Sequence, residues 1–321
     1  MRLHTRKRRA IVLTAALLLA ISGLVSAEND VVDLKFGQPP VSNSDTSRTL
    51  QSLVKVQGTG GLLQDGLYLM THFGDREDIF QEENQHSIDH PWRDDTWRYC
   101  SIFSTSAENS VIMGRNWDNQ NVGSIIVSLY HPPKGYSSVS FARAIDMGFS
   151  LNMDLVKLNS SELGNRLLLA PFYATDGINE RGLAVAVAGV EQTTHKPKDG
   201  EQLVFVTFLV RKILDHARNI EEAVSLAETF VPFDLDKNSL NTHFLIADSS
   251  GRSVILEYSQ DQWRTIYGDS SRQVLTNNPI YNVPDAKLRD QCRRYRGISE
   301  TLEKTREPVD WKAGSVSFPS E

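Results

Sequence analysis

An unbroken run of small apolar residues at positions 183–190 constrains the fold of this chain more than any other feature. The run contains no polar side chain, which is typical of a strand covered on both faces. Downstream, 243–247 and 253–258 are short strand patterns that flank a turn-forming sequence. Helical patterns at 203–217 and 285–304 interrupt the strands. This alternation predicts an α+β fold, with antiparallel sheets and helices packed outside them.

The first 27 residues have the pattern of a secretory signal peptide. Basic residues occupy much of 2–9, an apolar run fills 10–25, and Val-Ser-Ala ends at Ala27. The apolar run is short for a membrane-spanning helix, which favours cleavage after Ala27 over a retained anchor. We therefore expect a secreted or periplasmic protein with no stable membrane insertion once the signal is removed.

The composition excludes some partners and leaves one covalent alternative open. The formal net charge is -6, and no basic stripe follows the N-terminus, which argues against nucleic-acid binding. The eight histidines have no metal-ligand spacing, and we expect no metal or cofactor. The two cysteines, Cys100 and Cys292, could form a structural disulfide in an oxidising compartment.

The residues around Cys100 have the chemistry of a nucleophilic site. Cys100 begins one strand pattern, and Gly-Arg-Asn-Trp-Asp at 114–118 ends the next, so a hairpin would bring Cys100, Arg115 and Asp118 together. A thiol becomes a strong nucleophile only when a nearby group accepts its proton. An α-amine, with an ordinary pKa of about 7.7 to 8.0, is suited to accept that proton near neutral pH.

Four further segments follow in order after this hairpin, at 176–183, 242–248, 275–279 and 293–296. With the Cys100 hairpin, this ordered set resembles the choloylglycine hydrolase and penicillin V acylase group of N-terminal-nucleophile (Ntn) hydrolases. Related acyltransferases and acid-amidase-like enzymes share the pattern. The step from Cys100 to the Asp of Gly-Arg-Asn-Trp-Asp is its most specific element.

The resemblance implies a four-layer αββα sandwich, in which two antiparallel sheets are flanked by helices. It also implies a role for each matching residue. Cys100 would be the nucleophile, and its free α-amino group the base. Arg115 and Asp118 would hold and tune the amine and the thiol. Asn277 would contribute to the oxyanion hole, and Arg294 would support the site electrostatically.

This mechanism requires Cys100 to become a chain terminus. The resemblance implies self-cleavage between Tyr99 and Cys100, which separates a leader (28–99) from an Ntn-hydrolase domain (100–321). The leader can stay attached without a covalent bond.

Two features depart from the pattern of the family. The run at 184–190 lacks the polar side chain that often assists the oxyanion hole, so we expect either a backbone N–H as the second donor or a weakened site. The chain also stops at Glu321, before the final strand pair that relatives usually carry.

The predicted function is a secreted hydrolase of linear, non-peptide amides that works through an acyl-enzyme on Cys100. The expected partner is a small acyl amide. The sequence does not decide whether the protein forms a homo-oligomer. Acyl-amino-acid conjugates, bile-salt-like amides, β-lactam side chains, acyl homoserine lactones and N-acyl lipids all remain open as substrates. Two alternatives remain: acyl transfer at the same site, and an unprocessed, inactive binding protein with a Cys100–Cys292 disulfide.

Overall fold

A computed structural model of the chain describes residues 10–13, 44–56, 66–75, 77–89, 100–107, 110–117, 123–151, 153–158, 162–234, 238–268 and 271–304. The strands are β1 Ala10–Leu13, β2 Val54–Lys55, β3 Leu67–His72, β4 Ser101–Ala107, β5 Ser110–Asn116, β6 Ile125–Tyr130, β7 Ser138–Arg143, β8 Asp176–Asn179, β9 Ala184–Thr194, β10 Gln202–Phe205, β11 Phe230–Phe233, β12 Ser239–Ala247, β13 Ser253–Ser259, β14 Gln262–Tyr267 and β15 Arg272–Leu275. The helices are α1 Asp45–Gln51, α2 Glu77–Asp89, α3 Glu162–Asn165, α4 Val206–His216, α5 Ile220–Ala227, α6 Asp285–Gln291 and α7 Arg293–Lys304, and 3-10 turns span Ala144–Met147, Leu155–Leu158 and Arg166–Leu169.

The strands form two large sheets and one small ribbon. Nine strands pair in the order β14-β13-β12-β9-β8-β7-β6-β3-β2, and four pair in the order β1-β5-β4-β15. Most neighbours are antiparallel, as predicted, but β3 runs parallel to β6, and β1 parallel to β5. The parallel strands β10 and β11 form the ribbon.

The small apolar run at 183–190 lies, from Ala184 onward, in β9, an inner strand of the larger sheet. Its alternate residues separate by size: Ala184, Ala186 and Ala188 face the layer between the sheets, whereas Val185 and Val187 face the helical layer. Small side chains on the inner face let the second sheet pack closely against β9. The prediction of a strand buried on both faces is confirmed.

Four layers follow from the way each sheet buries its two faces. The inner faces meet through Cys100, Ile102 and Met113 of the small sheet, which pack against Leu245 and Ile255 of the large one. Helices α4 and α5 cover the outer face of the large sheet. Helix α7 contacts β4 and β15 and covers the outer face of the small sheet. The predicted αββα sandwich is confirmed.

Two predicted helices differ from the observed ones. The helix expected over 203–217 begins only at Val206, because the preceding residues pair with β11 as a strand. The helix expected over 285–304 is interrupted at Cys292, whose backbone is extended with φ -131° and ψ 107°. Asn219 followed by Glu222 three residues later is a capping-box-like pattern that predicts the start of α5. The structure confirms it, since the Asn219 side chain accepts from the Glu222 N–H at 2.9 Å.

Part of the predicted leader is built into the domain. Its strand β3 pairs with β6 over six residues, and its helix α2 contacts β10. The polarity of residues 81–98 predicts a surface stretch before Cys100. Of these residues, 81–89 lie in α2, and 90–98 lie outside the described residues.

The predicted signal peptide contributes strand β1 to the edge of the small sheet. Within the part of the chain that the structure describes, no helix is both long and apolar enough to cross a bilayer.

Candidate active site

Cys100 lies directly before β4, at the end of the β4–β5 hairpin, and is fully buried between the two sheets. The hairpin register pairs Ser101 with Asn116 and Ile102 with Arg115. The predicted meeting of Cys100 and Arg115 at one end of the hairpin is therefore observed. Asp118, the third residue of that prediction, lies outside the described residues.

The Arg115 guanidinium connects Cys100 to two other elements. Its Nη2 atom is 3.9 Å from Cys100 Sγ and donates to the Val187 carbonyl of β9 at 3.1 Å. Its Nη1 atom forms a buried ion pair with Asp176 of β8 at 2.7 Å. The Trp117 ring lies 4.5 Å from the guanidinium carbon. Arg115 thus holds its guanidinium beside the thiol through contacts with three other residues.

Asp176 is a functional candidate that the sequence analysis did not single out. Burial raises the pKa of its carboxyl, and the charge and hydrogen bond of Arg115 act in the opposite direction without cancelling the effect. Asp176 could have been found from the sequence, because it is the first residue of the segment 176–183. The same segment contains Asn179, whose side chain donates to the Leu214 and Ala217 carbonyls at the end of α4.

Arg294 and Asn277 form a second set of contacts at the site. Arg294 Nη1 donates to the Cys100 backbone carbonyl and, at 3.2 Å, to Ser101 Oγ, while its Nη2 donates to Asn277 Oδ1 at 2.9 Å. Asn277 Nδ2 in turn donates to the Gly189 carbonyl of β9 at 2.7 Å. The site therefore gathers four of the five residues that the sequence nominated. Of the three neighbouring arginines, Arg294 is the one that reaches Cys100.

A buried pair of residues that the sequence did not reveal contacts Thr276, the residue before Asn277. His243 of β12 and Glu257 of β13 are buried and meet at 3.0 Å, and His243 also contacts the Thr276 carbonyl at 2.7 Å. The available signal was a histidine and a glutamate at inward-facing positions of two otherwise apolar strands. Among the described residues, no group of three or more His, Cys, Asp or Glu is placed to hold a metal ion.

The disulfide considered from the sequence is absent. Cys100 and Cys292 are both free thiols and are both buried. Cys100 belongs to the core between the sheets, whereas Cys292 belongs to the core beneath α6 and α7. The two thiols pack on opposite faces of the small sheet, which explains why they do not pair.

A sequence profile described as linear amide C-N hydrolases, choloylglycine hydrolase family, matches residues 100–316, so the match begins at Cys100. Among solved structures, penicillin V acylase from Agrobacterium tumefaciens is 20% identical over 66% of this chain and 53% of its own, with a TM-score of 0.35. Two variants of conjugated bile acid hydrolase from Clostridium perfringens are 14% identical over 60% of this chain and 49% of theirs, with TM-scores of 0.33. The chain spans about half the length of these structures, and no curated protein is significantly similar to it. Because the profile covers more than half of its residues, the chain belongs to the choloylglycine hydrolase family of linear amide C–N hydrolases.

Proposed function

We propose that the protein is a secreted hydrolase of linear, non-peptide amide bonds. Cys100, freed by self-cleavage, is its nucleophile, and the Cys100 α-amine is its base. The observation that carries this proposal is the placement of Cys100 between two cationic side chains. Arg115 lies 3.9 Å from the thiol, and Arg294 links the Cys100 carbonyl to Asn277.

Each contact has a use in acyl transfer. The amine takes the thiol proton, and the thiolate attacks the amide carbonyl while Arg115 stabilises the sulfur charge. The Asn277 amide carries two N–H donors, and its bond to Gly189 sets the direction of the group. A donor aimed at the oxyanion is worth about 100- to 1,000-fold in rate. The protonated α-amine then gives this proton to the substrate nitrogen, the C–N bond breaks, and the product amine departs. The remaining thioester is hydrolysed by water to a carboxylate and the free thiol.

Maturation uses the same thiol on the chain itself. Cys100 Sγ adds to the Tyr99 carbonyl carbon, and the Tyr99–Cys100 C–N bond breaks. The departing nitrogen takes the proton of the thiol. Water then hydrolyses the thioester, leaving a carboxylate on Tyr99 and a free amine on Cys100. Cys100 is fully buried, so substrate entry requires rearrangement of the chain around it, which this cleavage would permit.

Secretion is part of the proposal and is supported by the N-terminal pattern of basic residues, apolar run and small-residue cleavage site. An extracytoplasmic enzyme with a catalytic thiol must avoid oxidation of that thiol. The separation of Cys100 from Cys292 on opposite faces of a sheet supports this requirement.

The test is intact mass and N-terminal sequencing of the purified protein, together with Cys100→Ala and Cys292→Ala variants. We expect a new terminus at Cys-Ser-Ile-Phe in the wild type and in Cys292→Ala, and an uncut chain in Cys100→Ala. Only the two cut proteins should hydrolyse a panel of chromogenic acyl amides. A wild-type chain that stays joined through Tyr99–Cys100, or a cut protein without amidase activity, would refute the proposal.

A further inference from the structure

His243 and Glu257 form a buried pair between the two sheets. His243 lies opposite Ala188 of β9, and its side chain has no solvent exposure. Glu257 lies on the neighbouring strand β13, with only 8% of its side chain exposed. Charged groups this deep destabilise a fold unless each is matched by partners. The partners of this pair all lie in the segment that carries Asn277.

Both ring nitrogens of His243 face atoms that accept hydrogen bonds. Nε2 lies 2.7 Å from the Thr276 carbonyl oxygen, and Nδ1 lies 3.0 Å from Glu257 Oε1. A neutral imidazole has a single N–H, so it satisfies both contacts only if Glu257 carries a proton and donates it to Nδ1. An imidazolium satisfies both contacts while Glu257 is ionised.

The surroundings of Glu257 favour its ionised form. Burial raises the pKa of this carboxyl, but the hydrogen bond and charge of His243 and the hydrogen bonds from two backbone N–H groups together outweigh burial, so the pKa lies below its ordinary value. Those groups are Ile280 N–H at 2.6 Å and Tyr281 N–H at 3.0 Å. Glu257 thus accepts three hydrogen bonds, one of them from His243.

The pair holds the segment 276–281 at both ends. His243 binds the carbonyl at its start, and Glu257 binds the two N–H groups at its end. Asn277 lies between these anchors, and its amide contacts Gly189 and Arg294. A shift of about 1 Å in a catalytic group can cost about 100-fold in rate.

We propose that His243 and Glu257 are positioning residues that hold the Asn277 amide in place for the oxyanion. This inference rests on the proposed function of the site. His243 acts through the Thr276 carbonyl, which belongs to the peptide unit joining Thr276 to Asn277, and it touches no reacting atom.

Two substitutions of His243 separate its two hydrogen bonds. The amide nitrogen of Gln can replace Nε2 and keep the bond to Thr276. The amide nitrogen of Asn can replace Nδ1 and keep only the bond to Glu257. In the mature enzyme we expect His243→Asn to lower kcat about 100-fold with KM little changed. His243→Gln should stay within about tenfold of the wild type. A merely structural role would make both neutral variants equally defective.

One measurement on the mature protein needs no substrate. Amide hydrogen exchange across 276–283 should be faster in His243→Asn than in His243→Gln. Equal exchange and equal kcat in the two variants would overturn the proposal. A wild type that hydrolyses no amide would refute the proposed function, while hydrogen exchange would still decide whether the pair holds this segment.

Discussion

Arg294 donates a hydrogen bond to the backbone carbonyl of Cys100, a residue 194 positions away in the sequence. Its other terminal nitrogen donates to Asn277 at 2.9 Å. The guanidinium presents its donors in a rigid plane, so one side chain sets the spacing between the nucleophile and the Asn277 amide. This spacing is the geometric requirement for a thiolate and an oxyanion donor to act on the same carbonyl.

Replacing Arg294 with lysine tests this spacing while the positive charge is kept. A single ammonium group cannot reproduce the planar pair of donors, so we expect kcat of Arg294→Lys to fall about 10- to 100-fold in steady-state amidase assays. Arg293→Lys is the matched control, because Arg293 is exposed. Equal activity of the two variants would show that charge alone, and not the bridge, matters at this position.

Asp176 should make the protein less stable as the pH rises. Burial raises its pKa in the folded state, so the folded protein holds the proton more tightly than the unfolded chain does. Above the ordinary carboxyl value of about 4, the wild type should therefore lose stability relative to Asp176→Asn until the raised pKa is passed. Urea unfolding of both proteins at several pH values would measure this difference. If the stability of the wild type relative to Asp176→Asn stayed constant or rose with pH, the assignment would be contradicted.

Glu257 should have the opposite effect. Its pKa is lowered in the folded state, so its contribution to stability is complete above the ordinary value of about 4 and is lost as the pH falls through the lowered value. As the pH rises from the lowered pKa of Glu257 to about 4, the wild type should gain stability relative to Glu257→Gln. Urea unfolding of the wild type, Asp176→Asn and Glu257→Gln at several pH values tests the direction of both pH effects. Curves that slope in the same direction would show that one of the two assignments is wrong.

The sequence predicts the parts of the fold that local patterns determine. The small apolar run at 183–190 indicates a strand covered on both faces, and Asn219 with Glu222 indicates a helix start. Strand β10 is missed because its pairing with β11 is formed between residues distant in sequence. The break at Cys292 is missed because the helical pattern continues across it, whereas Cys292 itself packs beneath the helices.

The site is predictable only as far as its own motifs extend. Cys100 and Arg115 share a hairpin, so their contact follows from the turn between them. Asp176 is 61 positions from Arg115, and no local pattern links the two. The pairing of His243 with Glu257 likewise depends on the register of β12 against β13. Such contacts arise from tertiary packing between distant residues, which local patterns in a single sequence do not reveal.

Two glycines should respond to alanine in opposite directions. A Cβ at Gly177 would lie 2.7 Å from both Leu214 Cδ1 and the Val139 carbonyl oxygen, so the backbone beside Asp176 would have to shift. We expect Gly177→Ala to lower the free energy of unfolding by about 1 to 3 kcal/mol. Gly297, inside α7, has nothing within 4 Å of its Cβ position, and Gly297→Ala should raise that free energy by about 0.5 to 1 kcal/mol. Chemical denaturation of both variants would measure the two effects. Destabilisation by both would contradict the packing argument.

The leader should stay bound after cleavage. Its strand β3 pairs along its whole length with β6, and Leu67, Tyr68 and Met70 are buried. Asn84 of α2 adds two hydrogen bonds, donating to the Leu203 carbonyl at 3.0 Å and accepting from the Phe205 N–H at 2.9 Å. The cleaved protein should therefore migrate as one species in native mass spectrometry and as two chains in denaturing conditions.

Asn84→Ala tests how far the α2 contact holds the two chains together. Removing the side chain leaves a backbone donor and acceptor of β10 without that partner, which costs about 1 to 3 kcal/mol. The cleaved variant should release its leader at a lower urea concentration than the wild type. Glu82→Ala, at an exposed position of the same helix, should release it at the wild-type concentration. Loss of the leader from the wild type in native buffer would instead mean that β3 leaves the sheet on cleavage, and the mature enzyme would then have to close the edge at β6 in another way.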